Sequence, residues 1–568
     1  MLEVALGKDG SALEVVSGPA SDAPGTSPDE ILLSIDGLPR CLAASTAAPP
    51  TGAAPDSWTG GFSLAIWDRR GRSLTAYRDH YGARPLYYRL EPGRLLLAGD
   101  LPAILARLPS SPALDEVAVM EYLATGVLSE GRTFHTGVQR LTAASRLVAG
   151  RGAPRLERYW EPLPAHRGDA PAGIDLEAGF RRHFRDAVAA TVDDAGPFGV
   201  LLSGGPDSSS VLGMAATLGR EGQAPNGPPR VALTMVFDSL RQCDEGESAR
   251  DTARFNGVRW TPVPVEAHSP LRGFDAFLER FGEPPCTVNL TLESLLLEAA
   301  RREGVRVLLD GHDADVLFIP SDRYLSELVR RLRWPRLTAE IRALRTKHRL
   351  KLRRLARAAL APLAPDLLKR ARRRAPRWLN GHMVRRTSLE DRLRNPRRPI
   401  SFEQAEAERV LAPSVGLGLE AVRCLERMHG VEGRHPFFDP RLVNFLAAIP
   451  FEIRFTAAQS KLLMRRALAD LLAPAVRRRV DKTSYTPYFD WSMRHHLGPE
   501  LVRLAERGSE VLEPYVAWDH ARPLIRSYLS GQGDHRLPIW RMLALERWLM
   551  LKSAQFSGGS QHEESLAR

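Results

Sequence analysis

The stretch Leu201–Ser210, LLSGGPDSSS, holds the residues best suited to chemistry. It follows a short apolar run, Phe198–Leu202, and precedes a helical stretch, VLGMAATLG. Gly204 and Gly205 have no Cβ, so backbone N–H groups can approach an anion closely. A helix N-terminus behind them adds unpaired donors and the positive end of its dipole. Ser203, Ser208 and Ser209 add hydroxyl donors. Asp207 in such an anion nest repels the ligand unless a cation intervenes, so it reads as a Mg²⁺ ligand. The bland alternative is a Gly/Ser turn capped by Asp207. Ser-Gly-Gly-x-Asp-Ser fixes five positions and is far more specific than a lone GxGxxG.

A second cluster is Leu308–Phe318, LLDGHDADVLF. An apolar strand, Val305–Leu309, ends in Asp310, His312, Asp313 and Asp315. In an open α/β sheet, ligands sit beyond the carboxyl ends of the strands. This end and the Ser203 loop can therefore face one crevice. Two carboxylates from separate strand ends, with phosphate oxygens, make a Mg²⁺–nucleotide site. Taken alone, DGHDAD suits a solvated turn equally well. A third cluster combines Glu432–Arg441, EGRHPFFDPR, with Arg477–Trp491, RRRVDKTSYTPYFDW. It sets Lys482 between arginines and an aromatic run. On the residues alone, Lys482 is a surface lysine.

These residues need elements to position them. Ile174–Asp194 has helical spacing, and Phe198–Leu202, Val231–Phe237 and Val305–Leu309 are short apolar runs with helical stretches between. Buried parallel strands alternating with helices predict a doubly wound α/β domain. The first 165 residues read differently. Gly61–Trp67, Ser73–Arg78, Pro85–Arg89 and Arg94–Ala98 are β-rich runs separated by the turn clusters DRRG, DHYGA and EPG. They predict an antiparallel sheet, with a short helix beginning at Pro102–Arg107. Gly18–Ser27 and Ala47–Asp56 read as exposed loops, and Pro162–Gly173 as a linker. Residues 403–556 read as mostly helical, and 557–568 as a disordered tail.

The chain has 568 residues, which suggests roughly three to four domains, or two with a large insertion. Hydrophobic residues make up 43% and charged residues 26%, which excludes a mainly disordered chain, a collagen and a disulfide scaffold. The four cysteines, Cys41, Cys243, Cys286 and Cys424, form no C-x-x-C pair. A zinc ribbon and a redox motif are excluded, and a reducing compartment is expected. No apolar run reaches the ~18 residues of a membrane span, and the N-terminus lacks a secretory pattern. A cytoplasmic enzyme is the expectation. The net charge of +12 is local: residues 330–398 hold 24 Lys and Arg against four acids, a net +20, leaving −8 for the rest. This Arg-rich segment reads as helices inserted into, or appended to, the α/β core. It is either a set of solvated helical faces or a docking surface. Few aromatics interleave with it, which disfavours nucleic acid.

The loop SGGPDSS, the strand end GHDADVLF, the stretch RHPFFDPRLV and the segment DKTSY, in that order, resemble the asparagine synthetase family. The N-terminal GGFSLAIWDRRGRSL, YRDHYGARPLYY and LLLAGDLPAIL resemble that family's glutaminase-type domain. The resemblance covers about residues 58–160 and 176–493. It implies an N-terminal αββα Ntn-type amidotransferase-like domain over 1–165. It further implies a C-terminal ATP-pyrophosphatase domain, of the adenine nucleotide alpha hydrolase kind, over 174–556, with 322–400 as a basic helical insertion. The implied chemistry is ATP-dependent adenylation of a carboxylate followed by amide formation. ATP and Mg²⁺ are the implied cofactors. Leu201, Ser203, Gly204, Gly205, Asp207, Ser208, Ser209, Val236 and Gly311 are the expected nucleotide contacts. Asp207 and Asp315 are the expected metal ligands, and Lys482 matches the family's adenylation lysine.

Two departures narrow the branch. The family's glutaminase half uses a Cys directly after the initiator Met, and Leu2 stands there. Without a thiolate no thioester forms, so glutamine hydrolysis is expected to be absent. The family's Glu that contacts the adenylate is matched by His312. Two branches lose the Cys and use a substrate's own amine: the β-lactam and carbapenam synthetases, and the lasso peptide cyclases. The long basic helical segment resembles the cyclases more. The expected function is a macrolactam-forming ligase acting on a precursor peptide, with a leader-binding protein and a leader peptidase as possible partners. His312, oriented by Asp313, is the expected base for the amine; alternatively His312 holds the nucleotide. Three rivals stay open: an asparagine synthetase using free ammonia, an RNA-modifying ATP-pyrophosphatase, and a non-catalytic scaffold.

Overall fold

Phe198–Leu201, Val231–Val236 and Val307–Leu309 are short and apolar, with side chains that suit burial on both faces. Such runs form strands under helices on either side. The computed structural model describes residues 2–6, 12–17, 30–36, 40–41, 58–150, 152–162, 175–312, 314–319, 323–348, 351–360, 374–394, 402–454, 456, 460–479 and 483–566. These three strands join Trp260–Pro264 and Glu432–Arg434 in a five-stranded sheet, all parallel. Its order, in chain sequence, is 3-2-1-4-5. The helices Leu176–Val192 and Pro206–Arg220 cover one face, packing on Val200, Ala232, Val307 and Leu309. Leu290–Arg302 and Pro413–His429 cover the other, packing on Val231, Leu233 and Leu308. This is the doubly wound arrangement expected from the sequence. Its topological switch point lies between Phe198–Leu201 and Val307–Leu309, where ligands bind in such sheets.

The N-terminal part holds two facing antiparallel sheets of five strands each. Leu2, Val4, Leu95 and Leu97 from one meet Ala65, Trp67, Leu74, Ala76 and Leu147 from the other. Helix Leu101–Leu105, capped by the Asp100 carboxylate, lays Leu101 and Ile104 on Tyr87 and Ala98 of the first sheet. The second sheet carries an aromatic cluster of Trp58, Phe62 and Tyr77. The loops expected at Gly18–Ser27 and Ala47–Asp56, and the linker beyond Pro162, lie outside the described residues.

The basic segment is inserted rather than appended, because the fifth strand, Glu432–Arg434, follows it and completes the sheet. Helices Tyr324–Arg330, Trp334–His348 and Leu352–Leu360 build a small core of their own from Tyr324, Leu328, Leu337 and Leu355, closed by Phe402 of the later helix Phe402–Glu408. Farther on, Trp378, Leu379, Met383 and Leu389 join the main core. The tail expected to be disordered from 557 instead continues the last helix, Arg536–Leu566. Extending a helix already nucleated by buried Ile539, Trp540, Leu543 and Trp548 costs less than starting one. No helix among the described residues is long and apolar enough to cross a membrane.

Candidate active site

Helix Pro206–Arg220 starts at the carboxyl end of strand Phe198–Leu201. Gly205 is its N-cap and makes no side-chain cap bond, and Pro206 presets the first helical φ. Asp207 therefore sits inside the first turn, and the capped-turn alternative does not hold. Its side chain turns instead to Lys461. Ser203 and Ser208 tie the loop together: Ser203 N donates to Ser208 Oγ at 3.0 Å, and their hydroxyls lie 3.0 Å apart. Gly205 N reaches Ser203 Oγ at 3.4 Å. Ser209 is fully buried, and its hydroxyl has no partner among the described residues.

Two glycines are required by close approach. Gly204 has φ +66°, and a Cβ there would lie 2.8 Å from the Ala249 amide nitrogen. A Cβ on Gly311 would lie 2.7 Å from Ser208 N. Gly311 thus lets the loop after strand Val307–Leu309 press against the first turn of Pro206–Arg220. Leu201 and Val236 end neighbouring strands at the same edge, both half-buried.

Asp207 and Asp315 do converge, each from the first turn of its helix. The group they converge on is Lys461. Its Nζ forms an ion pair with Asp207 Oδ2 and another, at 2.8 Å, with Asp315 Oδ1. Burial alone would lower the Lys461 pKa; the two carboxylates override that and raise it. Arg465 stands one turn on, with its guanidinium donating to the carbonyls of Val476 and Arg477 at 2.9 and 3.1 Å. Arg479 donates to Gly204 O at 3.3 Å and pairs with Glu245 at 2.8 Å. Cations thus bracket the phosphate-type loop on one side. Two hard oxygen donors able to share one ammonium also suit a divalent cation such as Mg²⁺.

The orientation of His312 departs from expectation. Asp313 lies outside the described residues. Asp310 holds the ring: His312 Nδ1 lies 2.6 Å from Asp310 Oδ2, and His312 N donates to Oδ1 at 3.1 Å. A second imidazole, His435, places its Nδ1 2.9 Å from Asp310 Oδ1. Parallel pairing explains the meeting, because Leu309 aligns with Arg434 and Asp310 N donates to Arg434 O. His312 Nε2 faces Glu293 Oε1 at 3.5 Å. The Asp310 charge, with Glu293 beyond, raises the His312 pKa well above the ordinary value. Burial opposes the charge of His435, but Asp310 wins and raises it too. Burial likewise favours neutral Asp310, yet the two imidazoles hold its carboxyl below the usual range. Lys482 lies outside the described residues.

Lys461, Arg465 and Glu293 were not singled out in the sequence, and Arg479 entered only as one of the arginines beside Lys482. Ser460–Ala467, SKLLMRRA, looks like any amphipathic helix start, and nothing local marks its lysine.

The asparagine synthase family model matches residues 179–550, and a glutamine amidotransferase domain model matches 52–160. Amidase chyE of Penicillium rubens is 30% identical over 280 residues, covering 48% of this chain and 41% of its own length. Glutamine-hydrolysing asparagine synthetase 3 of Bacillus subtilis is 30% identical over 172 residues, covering 30% of this chain and 28% of its own. A protein named as an asparagine synthetase in Mycobacterium tuberculosis is 23% identical over 531 residues, covering 86% of this chain and 76% of its own. The chain therefore spans less than half the length of the Penicillium relative. With a parallel sheet, a glycine loop at its switch point and paired carboxylates beside it, and with most of its length matched, the chain belongs to the asparagine synthase family.

Proposed function

We propose that the chain is an ATP-dependent, AMP-forming ligase. It adenylates a side-chain carboxylate of a precursor peptide and closes a macrolactam with that peptide's N-terminal amine, as the lasso peptide cyclases do. The observation that carries this reading is an intact nucleotide loop joined to an amidotransferase half in which Leu2 stands where the family's glutaminases have their nucleophilic Cys. Leu2, at the family's nucleophile position, is fully buried and pairs with Leu97 of the neighbouring strand in the first sheet. Cys286 and Cys424 are no substitutes, because burial pushes each thiol up to about 12. In this reading the amine comes from the substrate peptide itself.

In this reading Gly204, Gly205 and the first turn of Pro206–Arg220 bind the phosphates through backbone N–H groups. Leu201 and Val236 flank the nucleotide at the strand ends, and Gly311 lets the two loops close on it. Asp207 and Asp315 would hold Mg²⁺, whose charge neutralises phosphate oxygens. Lys482 stabilises the charge that develops on the α-phosphate as the peptide carboxylate attacks. His312, held by Asp310, takes the proton that the amine loses when it attacks the acyl-adenylate. Binding both ends of one peptide raises their effective molarity. A leader-binding protein and a leader peptidase are the proposed partners, and the cytoplasm the proposed location.

The test is a panel of synthetic peptides with a free N-terminus and a downstream Asp or Glu, incubated with protein, ATP and Mg²⁺. The expected result is AMP, pyrophosphate and a peptide lighter by one water. Asparagine formed from aspartate and ammonium, with no peptide product, would instead favour the ammonia-using synthetase.

A further inference from the structure

Lys461 occupies the place between the two metal-site carboxylates. It is buried, and its ammonium bonds both Asp207 and Asp315. It is the N-cap residue of the short helix Leu462–Ala467, with φ +62°, in the left-handed region that L residues other than Asn and Asp seldom adopt. Residues are held there only where their surroundings over-determine them, and such positions cluster at functional sites and switches. The surroundings here are specific. Leu463 and Met464 are buried in the core beside it. The Arg465 side chain donates to Ser460 O at 3.3 Å and to the Val476 and Arg477 carbonyls, pinning the segment. Lys461 is thus delivered to the carboxylates by a turn held through Arg465 and not by a wandering surface chain.

The charge balance of the site is then decisive. Two carboxylates and one ammonium leave a single negative charge. A divalent cation on the same oxygens would face the ammonium at close range, where like charges repel strongly in a partly buried setting. The same carboxylates without the ammonium would hold a divalent cation more tightly. A metal arriving already bonded to phosphates brings negative charge for the displaced ammonium to meet.

We propose that Lys461 is a built-in counter-ion that competes with a divalent cation for Asp207 and Asp315, so that the metal enters only with its nucleotide. Lys461 then turns from the carboxylates to the phosphates. This inference rests on the proposed nucleotide site and assigns a positioning residue that makes metal and ATP bind as one ligand. It also guards against futile loading of the site by free metal.

The test is Mn²⁺ binding to the full chain without nucleotide, followed by electron paramagnetic resonance, for wild type, Lys461→Met and Lys461→Arg. Lys461→Met keeps the stem and removes the charge, and should bind one Mn²⁺ about tenfold or more tightly than wild type. Lys461→Arg keeps the charge and should bind as weakly as wild type. Equal Mn²⁺ affinity in wild type and Lys461→Met overturns the proposal. Wild type alone also tests it, should the variants not fold: one Mn²⁺ held at micromolar concentration without nucleotide overturns it as well. Exchange of labelled pyrophosphate into ATP by wild type is measured in parallel. Absence of exchange, with metal affinity still tracking Lys461, counts against the adenylation reading and leaves the counter-ion role standing.

Discussion

At the residue scale, the proposed half-reactions separate. Lys482→Ala should abolish adenylate formation and product together, because its charge is needed where the α-phosphate gains negative character. Such a loss typically costs ~3–4 kcal/mol, or about 10²–10³ in rate. His312→Ala should keep pyrophosphate exchange but slow amide formation by ~10²–10⁴. AMP release without ring product is the expected signature. The pairing with Asp310 adds a pH dependence. Asp310 raises the His312 pKa, so the base form emerges at higher pH than for an ordinary histidine. Single-turnover amide formation should therefore rise with pH beyond the ordinary histidine range. A fall over that range would show that the imidazolium is the working form and holds the adenylate. The pair's contribution to stability runs the other way: it is full below the unfolded histidine value of ~6.5 and is lost as pH rises through the raised value. Sequence adjacency suggested Asp313 as the partner. An Asp two residues before His312, after a strand and across a Gly, forms an Asx-type turn, so Asp310 carries a local signal. His435 lies in the stretch EGRHPFFDPR that the sequence singles out, but its place beside Asp310 was not legible, because it arrives by strand pairing from more than a hundred residues away.

At the scale of elements, the site depends on two loops touching. Gly311→Ala would drive a methyl group against Ser208 N, with backbone on both sides. Neither loop can give without moving its strand, so a loss of ~1–3 kcal/mol is expected. Chemical denaturation should show that loss, and pyrophosphate exchange should fall with it. Asp207→Asn and Asp315→Asn should each abolish Mg²⁺-dependent cleavage of ATP to AMP and pyrophosphate, measured by chromatography. Near-normal turnover in both would remove the metal assignment. The strands and the glycine loop were legible because their signals are local: apolar runs, Gly-Gly, and an acidic strand end. The Lys461 turn was not, because a lone Lys before Leu462–Ala467 acquires its meaning only when the chain folds back onto the sheet edge.

At the scale of the molecule, the two halves are joined by buried charge. Arg78 and Arg140 of the N-terminal half both pair with Glu420, at 2.6 and 2.8 Å, and Arg140 also pairs with Glu283. Tyr87 donates its hydroxyl to Glu420 at 2.8 Å. Burial of Glu420 is offset by these arginines, which lower its pKa. Removing one partner strands the others, so Glu420→Ala should destabilise the fold by about 3–5 kcal/mol, read from the denaturation midpoint. The N-terminal half thus supports the synthetase half, whatever its own chemistry. With Leu2 at the family's nucleophile position, purified protein should release no glutamate from glutamine above background. The domain order was legible because composition and strand length change along the chain. The interface was not, since arginines and glutamates read as surface residues until both halves bury them.

The proposed mechanism requires that a peptide carboxylate be activated as an adenylate and consumed by an amine of the same peptide. The most direct test labels that carboxylate with heavy oxygen and follows the label through one turnover with ATP and Mg²⁺. One labelled oxygen in AMP and a cyclised peptide that has lost one water, with no glutamine added, are the expected products. Label in inorganic phosphate with ADP as the nucleotide product, or AMP formed without label, would contradict it.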